Sequence, residues 1–584
     1  MAYKIRIISH DKKITAQENE LLADKIQEAG INLSLYCHKK GLCGKCFVEI
    51  VEGELPSLKE EEVFLVKQKK LNKNYRLACM YKIQGDLSLE IPEESIIQEA
   101  FILKTGIKFP ILLDPAVKKY YLQLKKPEIS SPFSFLELFE LHFKEKSLSI
   151  SLNLLKDLER ILEQSRFKVT AVMHRDKEIL NIEPFDTLNQ NFGLAIDIGT
   201  TTVVVELVDL NTGESIDALT GPNSQMKFGS DVVSRISFAF SEPRNLDELR
   251  NSILKTLNQM IEQALKRNHI NSTHVYEIVV AGNTSMNHFL LGLPVKSLAK
   301  APYNPAFTCL EELSSQDLGF KINAYGKVYV APNIKSFVGG DVSAGLIASD
   351  LANKKGNYLF IDLGTNGEIV LKTEEKLVAT STAAGPAFEG MNISSGMLAL
   401  PGAVYKAEYK NKLVLHTISN KLPLGICGTG LIDLISIFLA KGEITLKGNI
   451  KNKTKKIQIT DNIYITQKDV REMQLAVAAI KTGVKMMLEA NHLGIEQLDG
   501  IFIAGAFGNY LNIKNSLKIG LLPRIDEDKI IFIGNSSLAG ARALLLSKPA
   551  RDRIQSLVRG IQHFSLAANP LFQEYFIASL AFKN

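Results

Sequence analysis

The sequence has no tryptophan and no uninterrupted apolar run of about 18 residues, the length that a membrane-spanning helix needs. Its first residues, MAYKIRIISHDKK, contain no apolar core of signal-peptide length. The formal charge of +6 is small for 584 residues and gives no case for nucleic acid as the main partner. We therefore expect a cytoplasmic protein with no membrane span and no nucleic-acid partner.

Two familiar site motifs are also missing. There is no Gly-x4-Gly-Lys-[Ser/Thr] loop, so a bound nucleotide would need a different fold. None of the ten histidines forms a His-Glu-x-x-His or other paired metal pattern. The hydrophobic content of 46% and charged content of 23% are typical of globular proteins, and the length predicts several domains.

Cysteine is scarce and unevenly placed. Four of the six cysteines lie in the first 80 residues, as Cys37, Cys43, Cys46 and Cys79, with a spacing of Cys-x5-Cys-x2-Cys and one distant partner. Four thiolates in this three-plus-one arrangement suit a [2Fe–2S] cluster. One alternative is a structural zinc site, which usually has two close cysteine pairs. The other is that these are unliganded cysteines of the hydrophobic core.

The segments around these cysteines predict a small sheet with one helix. Strands are expected at Tyr3–Ile8, Phe47–Val51 and Leu87–Ile91, with Asn19 capping a helix through Glu20–Ala29. This pattern over residues 1–95 resembles a ferredoxin-type β-grasp domain. The five-residue first gap is similar to the adrenodoxin-like spacing.

Two later segments share a pattern of strand, glycine turn and strand, with one acidic residue before the turn. They are LAIDIGTTTVVVEL at Leu194–Leu207 and LFIDLGTNGEIVL at Leu359–Leu371. Backbone N–H groups and small hydroxyls beside one carboxylate suit a phosphate chain with its magnesium ion. Because the pattern occurs twice, it predicts two similar lobes that face a nucleotide.

The residues between these regions carry no catalytic motif. We expect a linker over 96–125 and a small α/β domain over 126–190, in which Ser151–Ser165 has the apolar spacing of a helix. From 191 to 584, strands and helices alternate as in an α/β domain.

The two glycine-turn segments resemble the phosphate motifs of the superfamily that unites actin, sugar kinases and heat-shock chaperone ATPases. Ile503-Ala-Gly-Ala-Phe-Gly is similar to its adenosine motif, although Ala506 stands where a second glycine is usual. The resemblance implies a two-lobed, actin-like (RNase H-like) ATPase domain over 191–584. It implies that Asp197 and Asp362 are catalytic and hold magnesium, and that the nucleotide contacts are Gly199, Thr200, Thr201, Thr202, Gly364, Thr365, Asn366, Gly367 and Gly505. Asp231, Asp341 and Glu389 are further acidic candidates, for which a structural role is an equally good interpretation.

A ferredoxin-type domain joined to such an ATPase resembles the reductive activators of corrinoid proteins, which include the activating enzymes of O-demethylase systems. The similarity spans the chain and includes FGSDVVSRI, FVGGDVSAG, CGTGLIDLI and LAANPLFQEYFIASLAF. In that family, ATP-dependent reduction returns an inactive Co(II) corrinoid to the methyl-accepting Co(I) state. The resemblance implies a [2Fe–2S] cluster, ATP and Mg²⁺ as cofactors. It further implies a corrinoid (iron–sulfur) protein of a methyltransferase system as partner, a low-potential electron donor and a homodimer.

Three other functions are compatible with parts of the sequence. The ATPase fold alone would allow a small-molecule kinase with a redox-sensing ferredoxin domain. Activators of radical dehydratases resemble the ATPase domain but lack the four-cysteine domain. A regulator gated by ATP and redox state would bind partners without transferring electrons.

Overall fold

The computed structural model describes residues 2–31, 33, 46–58, 62–63, 72–92, 95, 112–143, 147–505, 510–566 and 568–582. The predicted ligands Cys37 and Cys43 lie outside these residues, as do Ala506 and much of the predicted linker. The chain divides into two units. The first comprises Met1–Phe101, Gly390–Ile437 and Asn449–Val470, and the second comprises Ile102–Glu389, Phe438–Gly448 and Arg471–Asn584. None of the helices in the described ranges is both long and apolar enough to cross a membrane.

The N-terminal part of the first unit is a five-stranded sheet with the order β2-β1-β5-β3-β4. Its elements are β1 (Ala2–Ile7), β2 (Lys12–Gln17), α1 (Leu22–Glu28), β3 (Phe47–Glu52), β4 (Tyr75–Leu77) and β5 (Leu87–Glu90). β1 pairs in parallel with β5, and the helix packs its buried Leu22 and Ile26 into the same core as Ile5 and Ile7. This is the predicted ferredoxin-type arrangement. The helix begins later than predicted, because Asn19 has a φ of +67° and Leu21 takes the N-cap position.

The second unit begins with a four-stranded sheet of order β6-β8-β9-β7. Its elements are β6 (Val117–Gln123), α2 (Phe135–Phe143), β7 (Ser149–Ile150), α3 (Leu152–Gln164), β8 (Lys168–His174) and β9 (Glu178–Pro184). The side chain of Ser151 accepts the Leu154 N–H at 3.2 Å and caps α3, which confirms the helix predicted there. β6 lies in the stretch predicted to be a linker, where it pairs along its whole length with β8.

The next sheet has six strands in the order β12-β11-β10-β13-β15-β14. Its strands are β10 (Phe192–Ile198), β11 (Thr202–Asp209), β12 (Ser215–Pro222), β13 (Val275–Gly282), β14 (Leu313–Ser314) and β15 (Lys327–Val330). The helices of this lobe are α4 (Val232–Ser241), α5 (Asn245–Arg267), α6 (Thr284–Leu291), α7 (Lys296–Ala299), α8 (Ser315–Leu318) and α9 (Gly340–Ser349). Long apolar runs such as that of β13 are buried on both faces, as expected where helices cover a sheet.

The remaining elements begin with β16 (Tyr358–Leu363), β17 (Gly367–Lys372) and β18 (Leu377–Thr382). Small sheets follow, formed by β19 (Ala403–Lys410), β20 (Lys412–Thr417), β21 (Gly425–Ile426), β22 (Lys456–Gln458) and β23 (Tyr464–Thr466), with helices α10 (Gly428–Ala440) and α11 (Gln467–Ala490). The last elements are β24 (Gly500–Ala504), α12 (Ile513–Ile519), β25 (Ile530–Gly534), α13 (Ser536–Leu546), α14 (Lys548–Gly560), β26 (Gln562–His563) and α15 (Phe572–Ser579). A second six-stranded sheet in the second unit has the order β25-β24-β16-β17-β18-β26.

The two six-stranded sheets share one local plan. β10 pairs antiparallel with β11 and parallel with β13, and β16 pairs antiparallel with β17 and parallel with β24. This confirms the predicted two-lobed fold. Helices α9 and α13 cross in backbone contact, because a Cβ at Gly540 would lie only 2.0 Å from the carbonyl oxygen of Ala344. The helices therefore position one face of each lobe against the other.

Candidate functional site

The first glycine turn connects β10 to β11, and hydrogen bonds to its carbonyl groups hold it in place. The Gly199 N–H donates to the Thr202 carbonyl at 3.0 Å, which closes the turn. Asn223 donates its side-chain amide to the Gly199 carbonyl at 2.8 Å and its backbone N–H to the Thr201 carbonyl at 2.8 Å. The fully buried guanidinium of Arg235 donates to the Thr200 carbonyl at 2.5 Å. Three successive carbonyls are thus fixed, so the turn is rigid before any ligand arrives.

The second glycine turn connects β16 to β17 in the other lobe. The Gly364 N–H donates to the Asn366 carbonyl at 3.0 Å, and Asp362 stands opposite Glu368 in the strand register. Gly505 follows β24 with a φ of +96°, and a Cβ there would lie 2.9 Å from Asp362 Oδ1. Only glycine fits this position without strain. The residue predicted to approach adenosine therefore lies directly beside the second catalytic candidate.

Both turns open into one cleft of about 200 Å³. The predicted residues that line it are Asp197, Gly199, Thr200, Thr201, Thr202, Asp362, Gly364, Thr365, Asn366 and Gly505. Gly367 is the exception among the predicted contacts, since it is absent from this lining. A Cβ at Gly367 would lie 2.0 Å from Ile480 Cδ1, so the glycine is required there for packing against α11.

The cleft is strongly acidic. Asp341, Glu368 and Glu389 line it together with Asp197 and Asp362, and no lysine or arginine is among the described residues of its walls. Burial, and after it the charges of Asp341 and Asp197, raises the pKa of Asp362 to about 8. Burial likewise raises the pKa values of Asp341 and Glu368, with their neighbouring carboxylates adding to the effect. A site of this kind favours a cation, because a cation relieves the repulsion among its carboxylates.

Two residues far along the chain hold Asp197. Ser537 donates its hydroxyl to Asp197 Oδ1 at 2.7 Å, and Asn535 donates its amide to Oδ2 at 2.9 Å. Burial raises the pKa of Asp197, and these two hydrogen bonds oppose that shift. Asn535 also caps α13 by accepting the Leu538 N–H at 2.9 Å, so the start of this helix orients the carboxylate. Neither residue was predicted from the sequence, where no motif marks them.

The three further acidic candidates, Asp231, Asp341 and Glu389, do not all lie in the cleft. Asp231 caps α4 by accepting the Ser234 N–H at 2.8 Å and is not among the residues that line the cleft. Asp341 lies in the first turn of α9 and accepts its neighbour's N–H at 2.8 Å. Glu389 contacts both glycine turns. The structure therefore gives Asp231 a helix-capping contact and places Asp341 and Glu389 in the cleft.

Of the four predicted cluster ligands, the structure describes Cys46 and Cys79, which lie at the same end of the β3–β4 strand pair. Cys46 immediately precedes β3, and Cys79 follows β4. The Ala78 N–H donates to the Cys46 carbonyl at 2.9 Å, which continues the pairing of Phe47 with Leu77. Both cysteines are at least 98% buried, since their exposed fractions are 1% and 2%. Two buried thiols at one end of a strand pair fit the donor set of an iron–sulfur cluster.

The architecture and the cleft define an actin-like ATPase domain carried on the same chain as a ferredoxin-type domain. Family models match in the same order: a 2Fe-2S iron-sulfur cluster binding domain at 5–84, the RACo linker region at 107–189, the RACo middle region at 192–354, and the C-terminal domain of RACo, the ASKHA domain, at 356–584.

Full-length relatives are also found. The corrinoid activation enzyme RamQ of Eubacterium limosum is 31% identical over 603 residues, covering 98% of this chain and 98% of the relative. The [Co(II) methylated amine-specific corrinoid protein] reductase of Methanosarcina barkeri is 27% identical, covering 67% of this chain and 77% of the relative. A solved structure of a reductive activator for corrinoid, iron-sulfur protein has a TM-score of 0.76 at 35% identity, covering 99% of this chain and 98% of that one. The chain belongs to this family of corrinoid reductive activators.

Proposed function

We propose that the protein is an ATP-dependent reductive activator, which passes single electrons to a corrinoid protein and returns its inactive Co(II) to Co(I) for methyl transfer. The observation that carries the proposal is the convergence of Asp197 and Asp362 on one acidic cleft, in a chain that also has a ferredoxin-type domain. The full-length similarity to corrinoid activation enzymes supports the choice of corrinoid as the electron acceptor.

Cys37, Cys43, Cys46 and Cys79 would hold the [2Fe–2S] cluster, which supplies one-electron transfer at low potential. Cys46 and Cys79 are buried, so water has little access to these two ligands. The helix α1 anchors the segment around Cys79, since the N–H groups of Leu22 and Ala23 donate to the carbonyls of Tyr81 and Ala78. These contacts fix the position of one ligand relative to the sheet.

The nucleotide cleft needs a divalent cation if it is to receive a triphosphate. Its described walls hold five carboxylates and no basic side chain, so an uncomplexed triphosphate would be repelled. No group of three or more acidic, histidine or cysteine side chains in the described ranges is arranged to ligate one ion directly. Mg²⁺ typically keeps several waters and binds one or two carboxylates together with phosphates, which fits Asp197 and Asp362 on opposite walls.

The threonine-rich turns would contact the phosphates of the bound nucleotide. Thr200, Thr202 and Asn366 line the cleft beside the two aspartates, and Gly505 lines it next to Asp362, where the adenosine would approach the backbone. The rigid first turn spares the protein the reorganisation that a flexible loop would require on binding. Asp362 lines the cleft beside the second turn, where it would hold the hydrated magnesium ion and orient the attacking water.

ATP can assist an uphill electron transfer only by favouring a state of the activator that binds the corrinoid partner with a different affinity or changes the ligation of its cobalt. A [2Fe–2S] donor of the plant type lies near −400 mV, and each 100 mV against a one-electron transfer costs about 2.3 kcal/mol. The two lobes provide such a switch, because a nucleotide between them would contact both glycine turns. We expect hydrolysis to change the affinity for the corrinoid protein or the ligation of its cobalt.

The decisive experiment mixes the anaerobically purified protein with a low-potential reductant and a Co(II)-corrinoid protein. Co(I) should form only when Mg-ATP is present, and its absorption spectrum measures the amount formed. Asp362→Asn should abolish the ATP-dependent part, whereas the exposed control Asp528→Asn should retain it. Equal Co(I) yields with and without nucleotide would contradict the proposal, and rapid phosphorylation of a sugar or acyl acceptor would favour a kinase.

The remaining partners are proposed on the family resemblance. We expect a low-potential protein donor to reduce the cluster, and the activator to act as a cytoplasmic homodimer without membrane or nucleic-acid partners. Light scattering on the size-exclusion peak gives the oligomeric state directly. A monomer that supports full Co(I) formation would remove the dimer from the proposal.

A further inference from the structure

Glu389 lies between the two glycine turns and contacts both. It ends a short 3₁₀ turn, Pro386–Glu389, whose Ala387 and Phe388 are buried and anchor the segment. The Thr201 hydroxyl donates to Glu389 Oε2 at 2.5 Å, and the Thr365 hydroxyl donates to Glu389 Oε1 at 2.6 Å. One carboxylate therefore joins the turn between β10 and β11 to the turn between β16 and β17.

The direction of these hydrogen bonds limits what the two threonines can do. An ionised carboxylate only accepts hydrogen bonds, and each hydroxyl has one proton to donate. While the bridge is present, neither hydroxyl proton is available to a phosphate oxygen. The Glu389 carboxylate thus occupies the acceptor position that a phosphate oxygen would need in order to bind Thr201 and Thr365.

A phosphate group resembles the carboxylate in the features that matter here. Both are anions with several acceptor oxygens, and both can bind two hydroxyl donors at once. They cannot share the same two protons, and their charges repel. The buried Arg235 guanidinium also holds the first turn, by donating to the Thr200 carbonyl. The carbonyl groups of the first turn therefore keep their own partners when the bridge is absent, and what is lost is the link to the second turn.

We propose that Glu389 is a positioning residue that holds the two turns together in the nucleotide-free protein and is displaced from Thr201 and Thr365 by a phosphate of a metal-bound nucleoside triphosphate. The inference rests on the proposed nucleotide site and adds to it a selection for phosphate. Ligands without a phosphate leave the bridge intact, so they do not change the spacing of the lobes. Ligands with a phosphate exchange one anion for another and release Glu389 to accept from the waters of the metal ion.

The matched pair Glu389→Gln and Glu375→Gln tests this role. Glutamine keeps the shape and one acceptor of Glu389 but removes its charge, and Glu375 is an exposed residue outside the cleft. Calorimetry with the magnesium complex of a non-hydrolysable ATP analogue should show roughly tenfold tighter binding for Glu389→Gln. Adenosine should bind both variants and the wild type with equal Kd. The Glu375→Gln control should match the wild type for both ligands.

A second variant separates displacement from a general structural effect. Thr201→Val removes one hydroxyl of the bridge, so combining it with Glu389→Gln should give a change in Kd smaller than the product of the single changes. Hydrogen exchange without nucleotide should be faster in Glu389→Gln at the amides of 199–203 and 364–367, because the turns are no longer joined.

The outcomes are distinct. Unchanged or weaker binding of the analogue by Glu389→Gln would overturn the inference, as would an equal change for adenosine. Additive single changes would overturn it too, because Glu389 and Thr201 would then act independently. If the folded wild-type protein binds neither analogue nor adenosine, the proposed function itself fails.

Discussion

Asp362→Asn should stabilise the nucleotide-free protein while removing its function. The pKa of Asp362 rises from 3.8 to about 8 on folding without a cation, so the folded state prefers the neutral acid. The contribution of such a group is fully present below about pH 4 and is lost as the pH rises towards 8. Asparagine is neutral at every pH, so the stability gap between variant and wild type should widen over that window.

The magnitude follows from the shift. One pKa unit corresponds to about 1.4 kcal/mol, and the interval from pH 6 to pH 8 therefore carries at most about 3 kcal/mol. Asp362 is only half-buried in the cleft wall, so solvent screening reduces this figure to roughly 1–2 kcal/mol. For a domain as large as 191–584, the gap in Tm should increase by roughly 1–3 °C between the two pH values.

Thermal unfolding in the presence of a chelator measures this gap directly. The exposed control Asp528→Asn should follow the wild type at both pH values. Adding Mg-ATP should raise the Tm of the wild type and leave that of Asp362→Asn unchanged. A gap that stays constant or narrows as the pH rises would refute the reasoning that burial and neighbouring carboxylates destabilise ionised Asp362.

Three further predictions concern other parts of the chain. Cys79→Ser should remove the visible absorption of the [2Fe–2S] cluster while the Kd for ATP stays within about twofold, and an unchanged spectrum would exclude Cys79 as a ligand. Arg235→Met should weaken ATP binding roughly tenfold, because it releases the Thr200 carbonyl. An unchanged Kd for ATP, measured by calorimetry on the folded variant, would contradict this prediction. Gly540→Ala should lower the free energy of unfolding by about 3 kcal/mol, because its Cβ would meet the Ala344 carbonyl oxygen. If the denaturation curve of Gly540→Ala matched that of the wild type, the close approach of the two helices would not contribute to stability.

Local sequence patterns predicted much of the fold. The two glycine-turn segments have nearly the predicted strands, since alternating or continuous apolar residues around a glycine turn leave few other conformations. The helix at Ser151–Ser165 is present because its cap and apolar spacing agree. Asn19 was wrongly placed as a cap, since a capping side chain is also compatible with the left-handed turn that it adopts.

The candidate site was only partly predictable, because its supporting residues come from distant positions. Asn535 and Ser537 reach Asp197 across 338 and 340 positions, and no local pattern records such a contact. The bridge by Glu389 likewise depends on the approach of two lobes, which a single segment does not encode. For Gly367 the motif predicts a ligand contact, and packing against Ile480 is a separate reason for the glycine that the sequence alone did not reveal.

The packing of α13 and α14 has a consequence for folding during synthesis. Leu544, Leu545 and Ile554 from these helices belong to the same buried cluster as Ala195 and Val279 of the first lobe. On the ribosome, the strands of that lobe emerge long before the helices that cover one of their faces. Part of an apolar sheet face therefore stays open until α13 and α14 have emerged, and we expect it to be a chaperone-binding surface of the nascent chain.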